Sequence, residues 1–197
     1  MKPFRLSAAL LGLLLFAPLP ATAQQPTHRL SIGIGALTAP DWMDITSDVL
    51  RTAVTLGSYK TEARSGTGAI SAQYERFLNS RLSLLGAAGF QRMSRDVIID
   101  DTPSGTLSSS YAHAMAGAAL HYRRGGGLGL YSNASVGFAL NHDSADITGS
   151  PSTSESEFQP AFQVTALGLR VGQSYGAFLE LGAGYRGTIV LGAAFEF

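Results

Sequence analysis

Tyr185, Gly187, Ile189, Leu191, Ala193, Phe195 and Phe197 fall on one parity at the end of the chain. Arg186, Thr188, Val190, Gly192, Ala194 and Glu196 fall on the other. A period of two places each set on one face of a β-strand. A soluble strand with one apolar face packs that face on a core. Here the opposite face is small or polar, which suits a wall between lipid and a narrow lumen.

The start of the chain predicts how it reaches a membrane. Lys2 and Arg5 precede the apolar stretch 8–17, and Ala21-Thr22-Ala23 forms a small-residue cleavage pattern ahead of Gln24. Residues 1–23 are read as a cleaved secretory signal peptide and 24–197 as the mature domain. An apolar stretch of about ten residues is half the roughly 20 that a spanning helix needs. No later stretch is longer, so no transmembrane helix is expected.

Composition narrows the function. About 174 mature residues suffice for one domain. The 14 basic and 14 acidic residues balance, and loss of Lys2 and Arg5 leaves about −2. Without a basic stripe, nucleic acid is a poor partner. The chain has no cysteine, which removes disulfides, thiolate zinc sites and a thiol nucleophile. The 23 glycines and 14% charged residues fit sharply twisted strands around a crowded lumen, since neither a Gly period nor Pro and Ser runs occur.

The alternation recurs upstream. Leu30, Ile32, Ile34 and Ala36 alternate with Ser31, Gly33 and Gly35 in a first strand, 29–37. A second, 67–75, sets Ile70, Ala72 and Tyr74 against Ser71, Gln73 and Glu75. A third sets Leu82, Leu84, Gly86, Ala88 and Phe90 against Ser83, Leu85, Ala87, Gly89 and Gln91. In the fourth, Ala112, Ala114, Ala116, Ala118, Leu120 and Tyr122 point outward, with Tyr111, His113, Met115 and His121 inward. The fifth has Leu128, Leu130, Ala134, Val136, Phe138 and Leu140 outward, with Tyr131, Asn133 and Ser135 inward. The sixth, 158–171, is ambiguous, because Gln163 and Thr165 share parity with Leu167 and Leu169; Phe162, Val164 and Ala166 are assigned outward. The seventh has Ala177, Leu179, Leu181, Ala183 and Tyr185 outward, with Phe178, Glu180, Gly182 and Gly184 inward.

Short turns are expected at 76–81, 123–127 and 172–174. Polar loops are expected at 38–65, 96–109 and 141–157, and a tight turn at Arg186-Gly187. In the first loop Trp42, Ile45, Val49, Leu50 and Val54 fall near helical spacing, which predicts a short amphipathic helix. It caps the barrel mouth, lies on the membrane interface or meets a partner; capping is the favoured reading.

Eight strands with short turns at one end and longer loops at the other predict an all-β, eight-stranded antiparallel up-and-down transmembrane β-barrel. Closure is required because unpaired edges cannot face hydrocarbon. Eight strands leave interior room only for side chains. Ser71, Gln73, Glu75, His113, His121, Tyr131, Asn133, Glu180 and Glu196 are the expected polar lumen, forming a plug rather than a pore.

The signal peptide, the hairpin segment Tyr74-Glu75-Arg76-Phe77-Leu78-Asn79, the stretch from Phe178 to Gly187 and the terminal Phe195-Glu196-Phe197 resemble the small outer-membrane β-barrel proteins of the porin-like or OmpA/OmpX-like class, most closely those of Bacteroidetes-type bacteria. The resemblance implies the bacterial outer membrane as the location, and outer-membrane lipid and lipopolysaccharide as surroundings. It also implies the barrel-assembly machinery as a partner during biogenesis, with Phe197 and Phe195 as its signal. No OmpA-like peptidoglycan-binding domain is expected after the barrel, and a monomer is expected.

Residues that invite a catalytic or metal role have simpler readings. His113 and His121 share a face, but eight residues at about 3.3 Å each put them about 26 Å apart, too far for one metal. Glu180 is read as paired with an inward arginine or hydroxyl, since a lone buried carboxylate is costly. His142-Asp143-Ser144 holds three hydrolase residue types, but neighbours on a loop do not form a relay. The His-x-Ser-Asn pattern of lipid A deacylase barrels is missing around His28, His113, His121 and His142, and omptin-type proteases need ten strands. The acidic third loop lacks the alternation of a calcium loop. No enzyme, cofactor or metal is expected. The reading is a structural or surface-interaction protein, with a porin-like conduit for small or apolar solutes as the alternative and a lipid-modifying enzyme ranked last.

Overall fold

The computed structural model describes residues 27–43, 59–66, 68–99, 102–125, 127–147 and 152–197. The expected signal peptide, and residues 44–54 of the expected helix, lie outside them. The strands are β1 His28–Ala36, β2 Tyr59–Gly66, β3 Ala69–Phe77, β4 Leu82–Ile99, β5 Thr102–Arg123, β6 Leu128–Ile147, β7 Thr153–Gly172, β8 Tyr175–Gly184 and β9 Ile189–Glu196. β2 and β3 both pair with β4, at Met93–Ile99 and Ser83–Phe90, so they are two segments of one barrel strand. All neighbours are antiparallel, and β1 pairs with both β3 and β9. Eight strands therefore close on themselves, leaving no edge in the membrane band. The seam is tied by the Thr27 and His28 amides donating to the Phe197 carbonyl, at 3.1 and 2.9 Å, and by Phe197 N donating to His28 O at 3.0 Å.

Side-chain alternation follows the sequence over most of the wall. Leu30, Ile32 and Ile34 on β1, Leu84 and Phe90 on β4, Val136 and Phe138 on β6, and Leu191 on β9 face outward. From Ala112 to Tyr122 the outward set covers about 33 Å along the strand. At a tilt of about 40° that is about 25 Å, the height of a barrel's apolar band. An aromatic row closes the band at the end of the short turns: His28 stacks on Tyr74 and Phe197, and Phe195 on Tyr175 and Phe197.

The ambiguous sixth strand is explained by a β-bulge. Tyr131 pairs with Gly168 and Asn133 with Thr165, so Ala166 and Leu167 together oppose Ser132. Both bulged residues face outward. The bulge reverses the parity of everything after it: Gln163 and Thr165 point inward before it, Gly168 and Arg170 after it. Ser132 Oγ donates to the Ala166 carbonyl at 2.6 Å. Gly168 has no side chain because the Tyr131 ring occupies its place; a Cβ there would lie 2.4 Å from the ring.

Three expectations are corrected. Residues 96–109 and 141–157 are not mainly loops: β4 pairs with β5 out to Ile99 and Thr102, and β6 with β7 out to Ala145 and Thr153. Residues 142–146 and 153–157 are exposed or half-exposed on both faces, so polarity there marks solvent and not loss of strand. Tyr185 is not outward. Gly184 has a φ of 139°, β8 ends there, and the turn swings Tyr185 inward, where it is buried. Residues 59–65, expected as part of the first loop, belong to strand β2, paired with β4. The short helix expected after β1 is present, and its described part is residues 39–43. Thr38 caps them: its hydroxyl accepts from Asp41 N at 3.3 Å while Asp41 Oδ2 accepts from Thr38 N at 2.6 Å.

This turn sits in the barrel's outer mouth. Gln91 on β4 accepts from the Thr38 hydroxyl at 2.7 Å and donates to Asp41 at 3.0 Å. Ala39 joins Met93, Tyr111, Met115, Ala139, Ala161 and Tyr185 in an apolar cluster that closes the upper lumen. The wall is uneven. β1, β8 and β9 have 9, 10 and 8 residues, and β4 to β7 have 18 to 22. The taller strands therefore rise above the barrel as a sheet.

Candidate functional site

Inward-facing positions carry almost all the buried polar chemistry. Gln73, Glu75, His113, His121, Tyr131, Asn133, Glu180 and Glu196 are all buried, as is Ser71. Phe195 and Phe197 face outward on the aromatic row.

In the lower lumen Arg29 is central. Its Nη1 donates to Glu75 Oε2 at 2.9 Å, and its Nε and Nη2 donate to Glu196 Oε1 at 2.9 and 2.6 Å. Glu75 also meets His121 Nε2 at 2.8 Å and accepts a short hydrogen bond from Ser83. Arg170, turned inward by the bulge, places Nε 3.4 Å from Glu196 and donates to the carbonyls of Gly172 and Gln173. In the upper lumen Tyr131 OH donates to Glu180 Oε1 at 2.8 Å, and Arg186 Nη1 lies 2.9 Å from Glu180 Oε2. Arg186 also donates to Gln73 at 2.7 Å and Ser71 at 3.3 Å, so it reaches down from the outer turn like a bolt. Gln163 holds that turn, accepting from Arg186 N at 2.9 Å and donating to Gly187 O at 3.0 Å.

Glu75, Glu180 and Glu196 thus each have a cationic neighbour, which is the condition for burying charge at tolerable cost. The gap between Arg29, Ser31, Gln73, Tyr131, Arg170, Phe178 and Ala194 is too small for a water molecule. Sequence parity alone points Arg29 inward beside Ser31, though the residue was not singled out. Arg170 was hidden by the bulge, and Arg186 by its position in a turn.

Ser83, His121 and Glu75 lie in mutual contact, with Ser83 Oγ 3.0 Å from His121 Nε2. They do not form a hydrolytic relay. Both the hydroxyl and the carboxylate meet the same ring nitrogen, whereas a relay needs them on opposite nitrogens. All three are sealed in the lower lumen. His113 sits at the opposite end of the lumen, edge-on to Tyr185. His142 and Asp143 face opposite sides of the sheet: His142 meets Ser156 at 2.9 Å and Asp143 accepts from Asn141 at 2.6 Å. No cluster of three metal-ligating side chains occurs among the described residues.

Above the barrel, β5, β6 and β7 form a concave face with a groove of about 510 Å³, lined by Leu107, Ser109, Tyr111, Asp143, Thr153 and Glu155 among others. Asp143 stands directly opposite Glu155, and Asn141 opposite Glu157. Residues 153–161 of β7 pair with β6 on one side and have no strand neighbour on the other among the described residues. Burial, then the nearby Glu157 charge, raises the Tyr185 phenol above its ordinary value.

No protein-family model and no curated protein matches the chain. Among solved structures, Ail, the attachment invasion locus protein of Yersinia pestis, is similar both alone and in complex with the heparin analogue sucrose octasulfate. Each structure has 14% identity and a TM-score of 0.51, and the match covers 88% of this chain and 100% of Ail. These structures lend no support to the expected Bacteroidetes-type likeness. At this identity the similarity concerns the fold. The chain folds as a closed, eight-stranded antiparallel up-and-down β-barrel like that of Ail.

Proposed function

We propose that the protein is a monomeric, non-catalytic barrel of the bacterial outer membrane whose protruding sheet engages a partner at the cell surface. The carrying observation is the continuation of β4 to β7 past the outer mouth, which builds a concave groove and an open strand edge on a rigid base. Binding residues gain most from such support. The apolar outer wall contacts outer-membrane lipid and lipopolysaccharide, and Phe195 and Phe197 serve as the assembly signal. The lumen, filled by the Arg29 and Arg186 networks, does not conduct.

Charge narrows the partner. Residues 38–68, 91–110 and 141–158 hold eleven of the fourteen acidic residues and five basic ones. The groove itself presents Asp143 and Glu155. A sulfated polyanion like the one bound to Ail is repelled by such a face, so the partner is cationic or bridged by cations.

Two measurements on the mature chain, refolded into lipid vesicles or planar bilayers, test this. A lysine-rich peptide should bind with strong salt dependence, and D143S/E155Q/E157Q should remove that binding while the gel mobility of the folded barrel stays unchanged. Binding of heparin in preference to the peptide would sink the charge reading; binding of neither would sink the surface role. In planar bilayers no conductance steps are expected, and stable ohmic steps would make the protein a conduit.

A further inference from the structure

The foot of the groove on the protruding sheet has a chemistry more specific than its charge. Two ladder rows cross the inner face of β5, β6 and β7 there. Ser109, Asp143 and Glu155 form the outer row, and Tyr111, Asn141 and Glu157 the row nearer the membrane. Neighbours within a row are one strand apart, about 4.8 Å, and the rows are two residues apart, about 6.7 Å. Asp143, Glu155 and Glu157 form no ion pair with any described residue. Exposed carboxylates alone would be a solvated face, and Asn141 makes the difference. It is 8% exposed. Its Nδ2 is turned to Asp143, donating to Oδ2 at 2.6 Å, and its Oδ1 is buried without a donor. A buried acceptor without a donor destabilises the empty groove, and a ligand carrying N–H groups removes that cost.

We infer that the foot of the groove is a pocket for one arginine side chain of the partner protein, with Asp143 and Asn141 Oδ1 as paired acceptors and Glu155 opposite. This rests on the reading of the sheet as a surface for a cationic partner. The spread of the acceptors selects arginine. No three metal-ligating side chains converge on one point among the described residues. A metal ion, or an ammonium whose donors radiate from one nitrogen, needs such convergence. A guanidinium is a planar fork of five donors that reaches acceptors on adjacent strands. Leu107 and Tyr111 line the same groove, a surface suited to the stem of an arginine and the face of its guanidinium. When the guanidinium donates to Asp143 it replaces the Asn141 Nδ2 hydrogen bond. A half-turn of the amide about Cβ–Cγ then brings Oδ1 to a second N–H of the fork. Glu157, opposite Asn141, is the acceptor for the displaced Nδ2.

The test titrates two peptides of equal length and charge, one built on lysine and one on arginine, against the mature barrel refolded into phosphatidylcholine vesicles. The arginine peptide should bind at least about tenfold tighter. Asn141→Leu keeps the volume and removes the acceptor. It should bring the two peptides within about twofold of each other, while salt-dependent binding to the carboxylates persists. Asn141→Ala gives the same readout if the leucine variant loses the gel mobility of the folded barrel. Equal binding of the two peptides by the unaltered barrel would overturn the arginine pocket and leave the cationic-partner reading standing. An arginine preference that survives loss of the Asn141 amide would overturn the pocket too, reducing the effect to the general affinity of guanidinium for carboxylates. Binding of neither peptide would overturn both readings.

Discussion

The two mouths of this barrel use charge in opposite ways. At the inner mouth, short turns bring Arg29, Arg170, Glu75 and Glu196 into a buried network in which each charge has a partner within 3.4 Å. At the outer mouth, acidic side chains stand opposite each other on exposed strands, as Asp143 and Glu155 do. Buried charges stabilise only as complete sets, whereas exposed ones contribute little to the fold and are available for partners. The inner end therefore holds the barrel shut, and the outer end carries its recognition surface.

Deleting Leu169 should break the comparison most severely. If the bulge persists, Arg170 takes the outward place opposite Leu130 and leaves Glu196; if it is lost, Leu167 is driven into the lumen against Tyr131. The expected outcome is loss of the heat-modifiable gel shift of a folded barrel. Deleting Ala166 instead removes only the extra residue and keeps Arg170 inward, so that variant should fold; equal loss in both deletions would show that the side chosen for Arg170 is not what matters.

Next is Glu75→Ala, which leaves Arg29 with Glu196 alone and His121 without its carboxylate partner. Removing one partner of a buried ionic set costs about 3–5 kcal/mol, so the urea midpoint of vesicle-refolded protein should fall strongly. Glu155→Ala on the exposed sheet should stay within about 0.5 kcal/mol. Equal effects of the two substitutions would erase the distinction between the mouths.

Gly168→Val is a smaller disturbance. Its side chain would displace the Tyr131 ring and, with it, the hydrogen bond to Glu180. A loss of about 1–3 kcal/mol is expected, read from the same unfolding midpoint, with Gly86→Val, where a Cβ meets nothing nearer than 4.0 Å, as the control.

The smallest effect is on pH dependence at the outer mouth. Tyr185 has a folded-state value above the ordinary phenol value of 10.0. Its contribution is thus fully present below about pH 10 and is lost as pH rises from there through the folded value. Tyr185→Phe should flatten the stability profile above about pH 10 and leave it unchanged at neutral pH. An identical alkaline loss in the variant would show that another group titrates.

Much of this architecture was legible in the residues themselves. Period-two alternation fixed the outward faces of β1, β3, β4, β5, β6, β8 and β9, because lipid and lumen impose opposite chemistry on successive side chains. It also placed Gln73, Glu75, His121 and Glu180 inside before any contact was known. What alternation could not reveal was where it is interrupted. The Ala166–Leu167 bulge and the inward swing at Gly184 depend on how neighbouring strands stagger to close the barrel, and they alone bring Arg170 and Tyr185 into place. Composition also misled beyond the membrane: polar residues 141–157 read as loop, yet the Asp143–Glu155 ladder is β-sheet. The sequence by itself determined which faces meet lipid and which residue types fill the lumen, because those are local consequences of side-chain chemistry. Only the tertiary structure decided which charge meets which, because Arg29 and Glu196 are 167 residues apart and become neighbours only when the last strand closes on the first.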